Sequence, residues 1–236
     1  MIDKKYLQQI LSDNGIETND IIAEKFDCYA EVLLEWNEKM NLTAIKEPKE
    51  VAEKHFLDSL LALNAYGFPQ GARLIDVGAG AGFPSVPIKL VRGDIDITLL
   101  DSLNKRITFL KELCKQLEIS ANPTHGRAEE YVRGKNIRES FDVATARAVA
   151  NLSSLSEYCL PYVKVGGVLL ALKGSEAENE AEQASEAIEI LGGKIEEIKD
   201  YRLPDGSKRG IIIIKKISQT PTKYPRQFTK ITKSPL

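Results

Sequence analysis

The chain has 236 residues, a net charge of −2 and 43% apolar residues, enough for one full α/β core with a small appendage and no overall charge that would mark a polyanionic partner. No apolar run reaches membrane-spanning length, and Met1-Ile2-Asp3-Lys4-Lys5 is not followed by a signal-peptide core, so a cytoplasmic protein without a membrane partner is expected. Cys28, Cys114 and Cys159 fit neither a metal-ligand spacing nor an even-numbered disulfide framework; free thiols and no metal are expected.

Residues 1–66 read as a helical extension, because Tyr6, Leu7, Ile10 and Leu11, then Ile22, Phe26, Tyr29, Val32, Leu33 and Trp36, recur at three- and four-residue intervals. Asn41 and Thr43 follow, either capping the next helix or, beside a ligand crevice, serving an acceptor pocket. His55 stands among Phe56, Leu57 and Leu60. A lone histidine in such a run is usually structural, and substrate contact is the competing role.

From residue 67 to 217 the pattern becomes strand and helix in alternation. The spacing predicts strands at Arg73–Val77, Ile97–Asp101, about Ser120–His125, Phe141–Ala146 and Gly167–Lys173. Helices are predicted at Pro84–Val91, Lys105–Leu117, Ala128–Val132, Asn151–Val163 and Ser175–Leu191. Two further strands, Lys194–Leu203 and Gly210–Ile217, meet at Pro204-Asp205-Gly206-Ser207 and read as a hairpin. Five βα units and this hairpin give an α/β, Rossmann-like fold with a seven-stranded, mostly parallel sheet and one antiparallel edge strand.

The turn after the first strand, Asp76-Val77-Gly78-Ala79-Gly80-Ala81-Gly82-Phe83-Pro84, places glycine at every second position. Such a turn lets a ligand approach the backbone, and Gly78, Gly80 and Gly82 are candidate contacts. The acid precedes the glycines and the spacing is not G-x-G-x-x-G, which disfavours a dinucleotide oxidoreductase and resembles the first motif of class I S-adenosylmethionine-dependent methyltransferases. Asp76 is expected to brace the loop from behind. Asp101, at the end of the second strand, suits the ribose hydroxyls of an adenosyl ligand, with a helix cap as the local alternative.

The loop after the fourth strand, Thr145-Ala146-Arg147-Ala148, lacks the Asp/Asn-Pro-Pro-aromatic signature of exocyclic-amine methylation. Cys159 precedes Leu160-Pro161 in the reverse of a Pro-Cys nucleophile pair, within an apolar run that suits core packing. Acceptors that are nucleophilic without deprotonation remain, guanine N7 among them. Charge is uneven: Gly174–Ile198 carries eight acids against Lys194, whereas Ser218–Leu236 carries Lys223, Arg226, Lys230 and Lys233 and no acid. Residues 218–236 therefore read as a basic tail, either gripping RNA backbone with Tyr224 and Phe228 interleaved or remaining a solvated terminus, and in both cases remote from the cofactor.

Taken together, Trp36-Asn37-Glu38-Lys39-Met40-Asn41-Leu42-Thr43-Ala44-Ile45, His55-Phe56-Leu57-Asp58-Ser59, the glycine turn, Asp101-Ser102-Leu103-Asn104-Lys105-Arg106, Gly126-Arg127-Ala128-Glu129 and Thr145-Ala146-Arg147-Ala148 resemble the glucose-inhibited division protein B family across the whole chain. The resemblance implies methylation of guanine N7 in the 530 loop of 16S ribosomal RNA, with S-adenosyl-L-methionine as cofactor and the RNA or small ribosomal subunit as partner. It also implies cofactor contacts at Gly78, Phe83, Ala128, Glu129 and Arg147, and catalysis by alignment, without a general base. Asn41, His55 and Arg147 are the acceptor-pocket candidates; Lys173, Arg209, Lys223, Arg226 and Lys230 are the RNA-binding candidates; a monomer is expected. The chain departs from the family at Gln227-Phe228-Thr229-Lys230-Ile231-Thr232, which interrupts the usual path to Lys233-Ser234-Pro235-Leu236.

Overall fold

In the computed structural model, which describes residues 1–147 and 149–236, the strands β1 (Arg73–Val77), β2 (Asp96–Asp101), β3 (Asn122–His125), β4 (Phe141–Arg147), β5 (Val163–Lys173), β6 (Gly193–Arg202) and β7 (Lys208–Lys216) form a single sheet in the order β3-β2-β1-β4-β5-β7-β6. Six strands share one direction, and the expected reversed strand is β7, held between β5 and β6 in the edge hairpin. The central run Val168-Leu169-Leu170-Ala171-Leu172 is buried on both faces, as a strand covered by helices on either side must be. β6 alternates and exposes Glu196, Glu197 and Asp200, a charged margin that discourages pairing with another sheet.

The extension contributes α1 (Lys4–Ser12) and α2 (Asp20–Met40), each opened by a side-chain cap: Asp3 accepts the Tyr6 N–H and Asn19 accepts the Ile22 N–H. Asn41 ends α2 with φ 48°, in the left-handed region that asparagine tolerates better than most residues. A second helical run consists of α3 (Pro48–Val51), a π-helical turn at Ala52–Leu57 and α4 (Asp58–Ala65). Phe26, Tyr29, Leu33, Phe56 and Leu60 share one core with Leu74 of β1, Val86 of α5 (Ser85–Val91) and Leu110 of α6 (Asn104–Gln116), so the extension covers one face of the sheet and is not a separate body.

The other face is covered by α7 (Ala128–Tyr131), α8 (Leu152–Cys159) and α9 (Ala177–Ile190), together with Tyr224 and Ile231. Two expected boundaries move. The helix predicted over Asn151–Val163 stops at Cys159 in a 3₁₀ turn, Leu160–Tyr162, because Pro161 has no N–H to continue the ladder, and β5 begins four residues before its predicted start. Residues 218–236 are also no free tail: Phe228–Lys233 forms a short helix, α10, docked beside α8.

Candidate active site

The strand order reverses between β1 and β4, and the crevice that opens there, at the carboxyl ends of the strands, is where α/β sheets bind ligands. It comprises a cleft of about 900 Å³ and an adjoining cavity of about 420 Å³, which share Gly78, Asp101, Ser102, Val149 and Ala150. Ala148 lies outside the described residues.

The glycine turn is held from three sides. The N–H groups of Gly78 and Ala79 both donate to the Leu100 carbonyl, at 2.8 and 3.0 Å, and the Gly80 N–H donates to Asp101 Oδ2 at 2.9 Å. Gly80, at φ +57°, faces the cleft: an added Cβ would meet nothing nearer than the Gly78 carbonyl oxygen at 3.8 Å, so the space is left for a ligand. Gly78, at φ +77°, lines both cavities and leaves room for the Val149 side chain, which a Cβ would approach to 2.8 Å. Gly82 differs from expectation. It is absent from both cavity walls, and at φ +95° it seats Tyr29, whose hydroxyl oxygen would lie 2.7 Å from an added Cβ and which donates to the Ala81 carbonyl at 2.6 Å. The third glycine is thus a packing glycine that joins the loop to α2.

Asp101 lines both cavities at the position expected of a ribose acceptor. Its carboxylate also organises the protein: Oδ1 accepts the Leu103 N–H at 2.9 Å, and Oδ2 accepts from Gly80 and from Arg106 at 3.3 Å. Asp101 is not the N-cap of α6, a position held by Leu103 without a side-chain cap; one of its oxygens makes a local turn and the other holds the glycine loop.

One wall of the cleft was only partly foreseen. The His55 ring stacks on Phe83 with centroids 4.4 Å apart, and the Arg147 guanidinium lies 4.7 Å from the centre of the Phe83 ring. Arg147 donates to His55 Nδ1 at 3.1 Å, to Asp58 Oδ2 at 2.9 Å and to the Lys54 carbonyl at 3.2 Å. Because guanidinium nitrogens only donate, Nδ1 must present its lone pair and the imidazole proton sits on Nε2, which donates to Thr43 Oγ1 at 2.8 Å. Burial and the nearby Arg147 charge push the His55 pKa down to about 3, so the ring is neutral. Thr43 Oγ1 also accepts the Ile45 N–H at 3.0 Å, which leaves its own proton to donate into the cleft.

His55 and Arg147 therefore meet in the cleft, whereas Asn41 is the exposed terminator of α2 and does not line it; Thr43, two residues on, does. Asp58 and Tyr201 were missed by the sequence reading. Tyr201 donates to Asp58 Oδ1 at 3.0 Å, closing a chain that links β6 to the cleft, and a tyrosine on an edge strand carries no local signal of that task.

The smaller cavity is walled by Gly126, Arg127, Ala128 and Glu129 after β3, by Ser154 and Tyr158 of α8, and by Phe228 and Thr232 of α10. The Tyr158 hydroxyl on this wall is buried and has no partner among the described residues; Asp76 Oδ1, two residues before the glycine turn, is likewise unpartnered there but lines neither cavity. Among the RNA candidates, Lys173 and Arg209 line the larger cleft, Lys173 paired with Glu180 at 2.7 Å and Arg209 3.6 Å from Asp58. Lys223 and Lys230 are exposed on the tail. Arg226 is not available as a phosphate contact: it grips the fully buried Glu157 through Nε and Nη2, the latter at 2.6 Å, because an unpaired carboxylate in that position would be costly. Among the described residues no group of three or more His, Cys, Asp or Glu side chains is disposed to hold a metal ion, and no helix is long and apolar enough to cross a membrane.

This geometry fits an adenosyl ligand: a glycine turn with an open face, a carboxylate one strand away and an unpartnered tyrosine hydroxyl on the smaller cavity. Comparisons with known proteins agree. Residues 22–208 match the family model described as GidB, rRNA small subunit methyltransferase G. The chain is 48% identical over 231 residues to Ribosomal RNA small subunit methyltransferase G of Bacillus cytotoxicus, covering 97% of each chain, and 49% identical over 228 residues to that of Oceanobacillus iheyensis, covering 96% of each. The fold is similar to that of a SAM-dependent methyltransferase from Aquifex aeolicus, with a TM-score of 0.54 at 15% identity over 77% of this chain and 97% of that one. It is also similar to M. jannaschii TYW2 in complex with AdoMet, with a TM-score of 0.52 at 14% identity over 66% and 74%. The chain belongs to the rRNA small subunit methyltransferase G family and is a methyltransferase whose cofactor is S-adenosylmethionine.

Proposed function

We propose that the chain methylates N7 of a guanine in the 530 loop of 16S ribosomal RNA, acting as a cytoplasmic monomer on the RNA or the small ribosomal subunit. The family supports ribosomal RNA as the substrate class. The observation that carries the choice of atom is the chemistry of the acceptor wall, which offers no free base among the described residues. The His55 lone pair is taken by Arg147, the Asp58 carboxylate is shared by Arg147 and Tyr201, and Cys159 is fully buried with its thiol pKa pushed up by burial. An acceptor that must lose a proton, or be attacked by a thiolate, finds no partner here, whereas guanine N7 is nucleophilic as it stands.

S-adenosylmethionine supplies an electrophilic methyl group and a neutral thioether leaving group. The protein's task is alignment. Guanine presents N7 and O6 side by side as acceptors, and N7 must stay unbonded to react, so the Thr43 hydroxyl proton suits O6 while the His55, Phe83 and Arg147 stack fixes the plane of the wall. Lys54 and Arg209 border the cleft, Lys54 paired with Glu50 at 2.6 Å and Asp205 at 3.2 Å and Arg209 3.6 Å from Asp58, so a phosphate bound there exchanges for these carboxylates.

The test is transfer of labelled methyl to small subunits from cells lacking this protein, followed by chromatography of the digested nucleosides. Label in 7-methylguanosine is expected. Label in 5-methylcytidine or in a guanine exocyclic amine would overturn the assignment of the atom.

A further inference from the structure

We infer that the C-terminal segment supplies the outer wall of the adenine-binding half of the cofactor crevice, with the Phe228 ring as its stacking face and the Tyr158 hydroxyl as its polar contact. The inference rests on the assignment of this crevice to S-adenosylmethionine and goes beyond it, because the tail follows the sheet and lies outside residues 22–208, which the family model matches.

The segment is built into the molecule. Arg138 donates to the carbonyls of Tyr224 and Thr220 at 2.9 and 2.8 Å, Arg133 donates to the Pro225 carbonyl at 2.9 Å, and Arg226 is clamped on Glu157. Tyr224 and Ile231 are buried in the core beneath. These anchors hold α10 against the 420 Å³ cavity, so Phe228 and Thr232 enter its wall beside Arg127 of the Gly126–Glu129 turn.

Phe228 is otherwise misplaced. It is 44% exposed, and the Arg127 guanidinium lies 4.0 Å from its ring centre on the same cavity wall. A phenyl ring held at the mouth of a cavity by a strapped backbone is a surface waiting for a flat apolar partner. Tyr158 adds an independent observation: its hydroxyl is buried, lines the same cavity and has no hydrogen-bond partner among the described residues. A buried hydroxyl in that state calls for a partner, and an atom bound in the cavity can supply it. Adenine has both features required, a π face and a polar edge, and the cavity runs into the main cleft through Asp101, where the ribose belongs. A nucleobase of the RNA would meet the same ring, and the test separates the two.

The experiment is calorimetry of the full chain with S-adenosylhomocysteine and with methylthioadenosine, which lacks the amino-acid portion. Phe228→Ala should weaken both ligands by a similar factor, about tenfold on the scale of base–aromatic stacking, and Phe228→Trp should restore most of the loss. Tyr158→Phe should weaken both by a smaller factor. Asp101→Ala, in the same assay, reports on the crevice itself. Unchanged affinity in Phe228→Ala with loss in Asp101→Ala would overturn the tail's role and leave the crevice assigned. Unchanged affinity in both would overturn the two together. A Phe228→Ala variant that loses RNA affinity but keeps that for S-adenosylhomocysteine would place an RNA base on the ring and refute the inference.

Discussion

Asp76 is fully buried at the end of β1, with Oδ2 accepting the Ser85 N–H at 3.3 Å and Oδ1 without a partner among the described residues. Burial outweighs these contacts and pushes its pKa up to about 7 from 3.8. A carboxyl whose pKa is raised on folding holds its proton in the native state after the unfolded chain has released it. Its contribution is therefore most favourable below about pH 4 and is lost as the pH rises toward 7. Denaturant titrations of wild type and Asp76→Asn should show the variant gaining stability relative to wild type between pH 4 and pH 8, by up to about 4 kcal/mol for a shift of roughly three units. A pH-independent difference would contradict this. His55 behaves in the opposite sense, because a pKa near 3 keeps it neutral throughout the physiological range. Nitrogen NMR should find the Nε2-protonated tautomer unchanged from about pH 5 to 8, whereas a midpoint near 6.5, the free imidazole value, would show that Arg147 does not hold the ring as described.

Two elements that the sequence set apart, the extension and the tail, each complete the crevice. Tyr29 of α2 reaches the glycine turn through Gly82, so Gly82→Ala must accommodate a Cβ against the Tyr29 hydroxyl and the Val86 side chain at φ +95°. A loss of about 2–4 kcal/mol in urea unfolding is expected, and a loss below about 0.5 kcal/mol would mean that the helix is not fixed there. On the other face, Arg226→Ala leaves Glu157 buried without its partner and should cost about 3–5 kcal/mol, measured in the same way. The tail was read as a basic strip because Lys223, Arg226, Lys230 and Lys233 occur without an acid, yet the acid that matters is Glu157, sixty-nine positions away in sequence. Composition within a segment reports its charge and says nothing of which buried carboxylate lies across from it. Asn41 failed as a pocket residue for a related reason: only the left-handed backbone at the end of α2 shows that its work is to stop the helix.

At the scale of the molecule, the parts written in local periodicity were legible: the βα alternation, the hairpin, the glycine turn and Asp101 all fall where the spacing put them. What was not legible depends on contacts across the sheet. The chain Tyr201, Asp58, Arg147, His55, Thr43 joins an edge strand, the start of α4, a central strand, a π-helical turn and an interhelical loop, and no one of these segments predicts the others. That chain gives the cleft a stacked wall in which the His55 ring nitrogens and the Asp58 carboxylate are already engaged and the Thr43 hydroxyl proton is not. The central claim is methyl transfer to guanine N7 by alignment. Its most direct test is mass spectrometry of the 16S ribosomal RNA fragment containing the 530 loop, from cells lacking this protein and from the same cells carrying wild type, Asp101→Ala or the triple replacement of Cys28, Cys114 and Cys159 by serine. The account predicts one 7-methylguanosine that is absent without the protein, restored by wild type and by the folded cysteine-free variant, and not restored by Asp101→Ala. A 530-loop fragment carrying the same methylation with and without the protein, or one restored only when a cysteine is present, would contradict it.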